Sequence, residues 1–450
     1  MSDEHGYNLP TEVLADLNSF DPDKRRAALA VAVQDGRPHL KSPENISNVH
    51  CHTFYSYCCL DLSPYGIVWE AARRLLAVVG STDFDVLDAM DEMYEAGDAL
   101  GVRATVSLET RTFSETYADR EVNSPGEPGV MYMMGVGFAA KPAPGSLFPT
   151  LAAQSRARNL EMVAKVNTVM GKAAVDYDRD VLPLTPSGNA TERHLCAAYD
   201  NKARAAFPDA DGLAAFWSGA LGVDADKARA LLADTGALRN TIRAKLMKKG
   251  GVGYAQPGKG SFPRIEDFFR MVKEARAVPC LAWLDGSTAG ESDPDRLIDD
   301  CMSWGAGCIN IIPDRNWNIA DSAVKAKKLA ALEAFVVAGR KRHLPIIAGT
   351  ELNGPGQKFV DSFDAPELKP YVNDFMDGAY WLYGHTVLER FAGKGASSPW
   401  TEKAFGGDRA AANAFYAAVG RAAKPGAHPD GRALAGAVSP QAVLAAVEKL

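Results

Sequence analysis

Ile46-Ser-Asn-Val-His50-Cys51-His52-Thr53 is the stretch on which the reading of this chain turns. Residues 46–52 read as a short buried strand, and the runs 75–80, 103–109, 130–136, 278–283, 308–312 and 344–350 share its character. Continuous apolar runs bounded by turn residues suit parallel strands covered on both faces. Helical patterns lie between them, as at 84–100, 265–276 and 321–343, the last rich in Ala, Lys and Leu at helical spacing. Repeated strand–helix units predict an α/β fold, either a barrel or a doubly wound sheet. A length of 450 residues fits one α/β barrel with insertions.

The alternation breaks between about 150 and 262, where helical signals (152–171, 191–206, 225–249) come almost without strand signals. We read 1–45 as an N-terminal helical segment and 46–150 as the first part of the barrel. A helical cap follows over 151–262, then the second part of the barrel over 263–355 and a helical C-terminal extension over 356–450. The glycine-rich run 250–260 lacks the Gly-Lys-Ser/Thr ending of a phosphate loop, so it predicts a flexible lid and no nucleotide site.

Composition narrows the function classes. The chain is 47% hydrophobic and 23% charged with net charge −7, an ordinary globular profile without the basic face that nucleic acid or an anionic membrane requires. No apolar run approaches the roughly 18 residues of a membrane span. The first residues, Met-Ser-Asp-Glu-His, lack a secretory layout. Seven cysteines without a Cys-x-x-Cys pair, several in apolar runs, suit reduced thiols and a cytoplasmic setting. The expected partner is a small-molecule substrate.

The chemistry starts at His50 and His52. On a strand, positions i and i+2 project from one face about 6.6 Å apart, so two imidazoles can converge on one ion. A bare His-x-His is as often two unrelated core histidines. Here the pair ends the first strand of a βα series, where barrels place their sites. Glu109 and Glu351 end two other strands, as caps or as further ligands. Two histidines with two carboxylates suit one divalent metal, Zn, Mn or Fe, without preference. Arg315 follows a strand and can meet an anionic group, or pair with a surface Asp. Lys358 lies just past Glu351, either at the site or in solvent. Asp285 is a candidate general base, as are Asp83 and Asp85, which also suit helix caps. His385 reads as structural.

Taken together these pieces resemble the PHP (polymerase and histidinol phosphatase) superfamily of metal-dependent phosphoesterases, in order over roughly 46–355. His50-Cys-His52-Thr resembles its His-x-His-Thr, and Thr82-Asp83-Phe84-Asp85 resembles its Thr-Asp-His-Asp turn. The strand ending in Glu109 resembles the one that carries a bridging glutamate. Tyr132-Met-Met-Gly-Val-Gly resembles its His-x-Leu-Gly-x-Gly, and Val278-Pro-Cys-Leu-Ala-Trp283 resembles the strand ending in Ala-His-Pro. Thr191-Glu-Arg-His194 resembles a helical Arg-Pro-His segment, and Gly349-Thr-Glu351-Leu-Asn353-Gly resembles the closing Gly-Ser-Asp-x-His-Gly.

The resemblance implies a PHP-like distorted (β/α)7 TIM-type barrel and a metal-dependent hydrolase. It also implies His194 as a ligand or proton shuttle, which joins Arg315, Lys358 and Asp285, singled out above by their places in the sequence, as the candidate catalytic set. Tyr57, Phe84, Tyr132, Trp283 and Asn353 stand where the family carries metal ligands. The surviving set His50, His52, Glu109 and Glu351 implies a single ion. The expectation is a phosphoesterase-like hydrolase of a small phosphorylated or sugar-like substrate. The alternatives are a single-metal lyase or isomerase of a carbohydrate or hydroxy acid, and a non-catalytic ligand-binding PHP-like protein.

Overall fold

The computed structural model describes residues 8–37, 40–257, 260–427 and 431–449. One sheet of seven strands runs in chain order: β1 (Ser47–Cys51), β2 (Val78–Phe84), β3 (Arg103–Phe113), β4 (Val130–Val136), β5 (Val278–Ala282), β6 (Cys308–Ile311) and β7 (Ile346–Ala348). Every expected strand is present. Six share one direction, while β4 is antiparallel to both β3 and β5, which corrects the all-parallel expectation. The cause is the connection 114–129, which contains no helix. It turns the chain back at the rim, so β4 starts beside the end of β3 with Val130 opposite Phe113.

The sheet curls until its first and last strands meet at a bridge between Cys51 and Glu351. His52 N–H donates to the Glu351 carbonyl and Glu351 N–H donates to the His50 carbonyl, both at 2.8 Å. Asn48, wholly buried, stitches this seam. Its amide donates to Thr350 Oγ1 (2.8 Å) and to the Phe359 carbonyl (2.6 Å), and its Oδ1 accepts from the His50 and Thr350 N–H groups. Gly349 makes the approach possible, because a Cβ there would lie 2.4 Å from His50 Cβ and 2.6 Å from Asn48 Oδ1.

Helices return the chain to the lower rim and stop in Schellman turns. After the helix Pro64–Arg73, Leu75 takes φ 62° and Leu76 N–H reaches the Ala71 carbonyl at 2.9 Å. That left-handed residue is why β2 starts at Val78 and not at 75. Arg276 and His343 close two further helices in the same way. Among the described residues, the other left-handed non-glycine positions (Tyr57, Asp61, Asp85, Glu351 and Leu352) all lie in loops of the upper rim. Such conformations cost about 1–3 kcal/mol each and persist where surrounding structure enforces them.

The stretch between β4 and β5 folds as helices around a small core of its own, with Tyr199, Trp217, Leu238 and Ile242 buried. It rejoins the barrel at the upper rim, where Arg264 bridges to Phe113. The glycine-rich segment is no loose lid at 250–254. Gly251 and Gly253 N–H groups bond the Lys248 and Leu246 carbonyls at 2.7 Å, and a Cβ on Gly253 would meet Val166 at 2.5 Å. Gly258 and Lys259 lie outside the described residues.

The helix Val372–Ala392 covers the opposite end of the barrel, with Gly378 pressed against the backbone of Ile346. His385, fully buried on that helix, donates from Nε2 to the Gly137 carbonyl (2.9 Å) and accepts Ala396 N–H at Nδ1 (2.8 Å). The structural reading of this histidine holds. Burial keeps the imidazole neutral, pushed down to about 4 from an ordinary 6.5. Acidifying from about 6.5 towards 4 therefore protonates the unfolded chain before the folded one. The urea midpoint is expected to fall across that window, and less steeply in His385→Asn, as circular dichroism at several pH values will show. No helix among the described residues is long and apolar enough to cross a membrane.

Candidate metal centre

Three side chains converge where the strands end. His50 and His52 Nε2 lie 3.7 and 3.4 Å from the same oxygen, Glu109 Oε2, and one ligand atom from each of the three falls within 4.8 Å of the others. All three residues are buried, and neither imidazole Nε2 has a hydrogen-bond partner.

The other ring nitrogens explain why. His50 Nδ1 lies 2.9 Å from Asn310 Oδ1, an acceptor, so Nδ1 carries the proton. His52 Nδ1 lies 2.9 Å from Ser56 Oγ, whose own proton goes to Asp83 Oδ1 at 2.6 Å. Asp83 also accepts Thr53 N–H and Thr53 Oγ1, both at 2.8 Å. Both rings are thus held as Nδ1–H tautomers with their Nε2 lone pairs turned inward on a carboxylate. Two lone pairs and an anion facing one another in a buried site form the donor set of a metal cation.

The titration directions agree. Burial alone would raise the Glu109 carboxyl, yet the two imidazoles outweigh it and hold it at about 2. Burial opposes charging of His50, and Glu109 outweighs that and raises it. The convergence of the two Nε2 atoms and the Glu109 carboxylate fits a divalent cation of the Zn, Mn or Fe kind, bound by two imidazoles and a carboxylate. Replacing Asn310 by Leu removes the acceptor that orients His50. Metal affinity is expected to drop about 10–100-fold, read by competition with a chelator.

Glu351, expected as a fourth ligand, stands outside the group of three. Its Oε2 accepts from Arg315 Nη2 (2.9 Å) and Gln357 Nε2 (3.2 Å). Burial works against its ionisation, and Arg315 overrides it and lowers the carboxyl. Arg315 lines the cavity, with its Nε buried and unpartnered.

The other expected catalytic residues are not brought to the triad. Lys358 is exposed, its Nζ 5.3 Å from the Trp317 ring, and the neighbouring Gln357 is the residue that turns inward. Asp285 is paired with Lys328 at 2.6 Å. His194 accepts Thr191 N–H at Nδ1 (3.0 Å) and lines a second cavity of about 230 Å³, with Tyr57 standing between the two cavities. Burial pushes its imidazole down to about 4.

The main cavity, about 640 Å³, opens above the triad. The Phe84 ring lies tilted against His52 (centroids 4.4 Å apart) and Tyr132 (6.0 Å), and Trp283 lies stacked on Phe335 at 4.5 Å. These aromatics occupy the positions where the family resemblance implies further ligands. The helical stretch supplies the far wall through Arg158, Glu192, Arg193, Arg243 and Lys248, none of which the sequence reading singled out for chemistry except through the neighbouring His194.

No protein-family model matches the chain, and no curated protein matches it. Among solved structures it is similar to an amidohydrolase from Chromobacterium violaceum with bound sulfate and no metal. That match has 16% identity and a TM-score of 0.44, covering 69% of this chain and 88% of the other. It is similar also to a structure from Bifidobacterium adolescentis assigned as a metal-dependent phosphoesterase, again at 16% identity and a TM-score of 0.44, covering 74% and 98%.

Proposed function

We propose that this chain is a metal-dependent hydrolase of the phosphoesterase type, acting on a small phosphorylated molecule with one divalent cation held by His50, His52 and Glu109. The observation that carries the reading is the pair of buried, partnerless Nε2 atoms whose tautomers are fixed from behind. When bound, such a cation supplies Lewis-acid polarisation of the scissile group and activation of water.

The chain's own residues do the rest. Asn310, and Ser56 backed by Asp83, keep the imidazoles aimed. Glu351, itself held by Gln357, positions Arg315, whose guanidinium lines the cavity and would meet an oxygen of the phosphoryl group. Phe84 and Tyr132 keep that side of the triad apolar, where a second cation would be poorly solvated, which supports a single ion.

Metal analysis of the purified protein with a panel of phosphomonoesters tests this reading. About one equivalent of metal and release of phosphate are expected. A metal-free protein inert on every ester, even after loading with Zn, Mn or Fe, overturns it. The same aromatic wall favours one second reading, a lyase or isomerase of a carbohydrate or hydroxy acid at the same ion. Turnover of such a compound without phosphate release would select it.

A further inference from the structure

Beyond the aromatic wall the cavity changes character. Arg111 follows Glu109 by two residues on β3, so it projects from the same face about 6.6 Å further out. Its guanidinium lies 4.6 Å from the centre of the Phe262 ring, and that of Arg158, from the helix Phe148–Met170, lies 4.4 Å from the same centre. Two cations thus share one ring.

Their compensation is unequal: Glu192, Glu127 and Asp85 together outweigh burial and raise Arg111, whereas Arg158 has the field of Asp85 and Glu192 against burial and the neighbouring Arg111. Arg111 reaches Glu127 at 3.5 Å, while Arg158 feels Asp85 electrostatically without a close ion pair to a described residue. Arg158 donates to the Ser261 carbonyl (3.3 Å), and among the described residues its buried Nε has no hydrogen-bond partner. Beside them Lys248 and Arg243 share one carboxylate, Glu192, at 2.8 and 2.7 Å. Asp85, the third carboxylate of this end, accepts from Thr110 Oγ1 at 2.5 Å. Among the described lining residues of this end, Arg111, Arg158, Arg193, Arg243, Lys248 and Lys249 outnumber the carboxylates Asp85, Glu127 and Glu192, in a chain whose net charge is −7. Burial, with Arg111 adding to it, pulls the Arg158 guanidinium down to about 10, as a cation short of a counter-charge would be.

We propose that Arg111, Arg158 and Lys248 form a second anion site, so that the substrate carries a non-reacting anionic group beyond an apolar or ring-shaped spacer from the group at the triad. This rests on the hydrolase reading for what happens at the triad, and not for the binding of the anion. The substrate class is therefore a small organic molecule anionic at both ends, its middle seated against Phe84 and Tyr132. Such a molecule bridges barrel and cap, which ties occupancy of the cap to presentation at the metal centre.

Inorganic phosphate is the probe, titrated calorimetrically into the full chain after metal removal with a chelator. The wild-type protein is expected to bind it, more weakly as salt rises, and His52→Ala to bind it equally well. Arg158→Gln and, separately, Lys248→Gln are expected to weaken binding at least 10-fold while keeping the wild-type circular dichroism spectrum. If phosphate fails to bind the metal-free wild type, or binds both cap variants unchanged, or is lost in His52→Ala alone, the second site does not exist. Absence of metal or turnover in the wild type would instead count against the hydrolase reading and leave this titration intact.

Discussion

His52→Ala is expected to abolish both metal retention and turnover. The variant leaves His50 and Glu109 one ligand short. Outer-sphere partners alone are worth about 10–100-fold in affinity, so removing a direct ligand should exceed 100-fold. Elemental analysis after desalting reads the metal, and phosphate release reads the chemistry. A second readout is thermal: a cation at about 100 times its Kd stabilises the fold by about 2.7 kcal/mol, and that gain should vanish in the variant. His52→Gln fills much of the same space and separates loss of a ligand from loss of packing. Ser56→Ala keeps Nε2 but frees the ring to flip, so an intermediate loss is expected. Undiminished turnover in His52→Ala would sink the assigned centre.

The second large effect is expected at Gly349, which carries no functional group. An alanine methyl there falls 2.4 Å from His50 Cβ and 2.6 Å from both Asn48 Oδ1 and His50 N. None of these is the loose end of a flexible side chain. β7 must therefore move away from β1, straining the Asn48 bonds and the bridge to Glu351. Overpacking of this kind costs about 1–3 kcal/mol, and the crowded seam places Gly349→Ala at the upper end. Urea unfolding should show the loss, and metal titration a weakened site, because His50 rides on the displaced strand. An unchanged midpoint together with unchanged affinity would mean that the seam does not govern the site.

Much of this was legible beforehand. The seven strand runs are continuous, apolar and punctuated, and all appear within a few residues of where they read. The direction of β4 was not legible, because a strand buried on both faces has no pattern that encodes polarity. The available signal was the connection 114–129, which lacks the helical period that a parallel crossover needs. The His-x-His pair and Glu109 came together as their strand positions implied, and Glu351 came to the seam with its carboxylate turned to Arg315.

Loop residues were harder. Lys358 and Gln357 differ by one position, and only the turn at Gly354, whose N–H donates to Gln357 Oε1 at 2.7 Å, decides which points inward. Asn310 had a signal that went unread: an amide inside the apolar run Cys-Ile-Asn-Ile-Ile must find a buried partner. The cap arginines are dispersed over a hundred residues of helix, where charge is ordinarily solvated, and only tertiary packing gathers them.

The seam has one more consequence, for synthesis. Asn48 and Thr350, which hold it shut, are 302 positions apart. At about 5–20 residues per second, a ribosome leaves the outer edge of the first strand without its mate for roughly 15–60 s. A bare edge is a template for pairing with other chains. Expression trials that slow elongation, or that end the chain ahead of position 351, should therefore yield insoluble product, and a chaperone that shields hydrophobic nascent segments should restore yield more than any added metal.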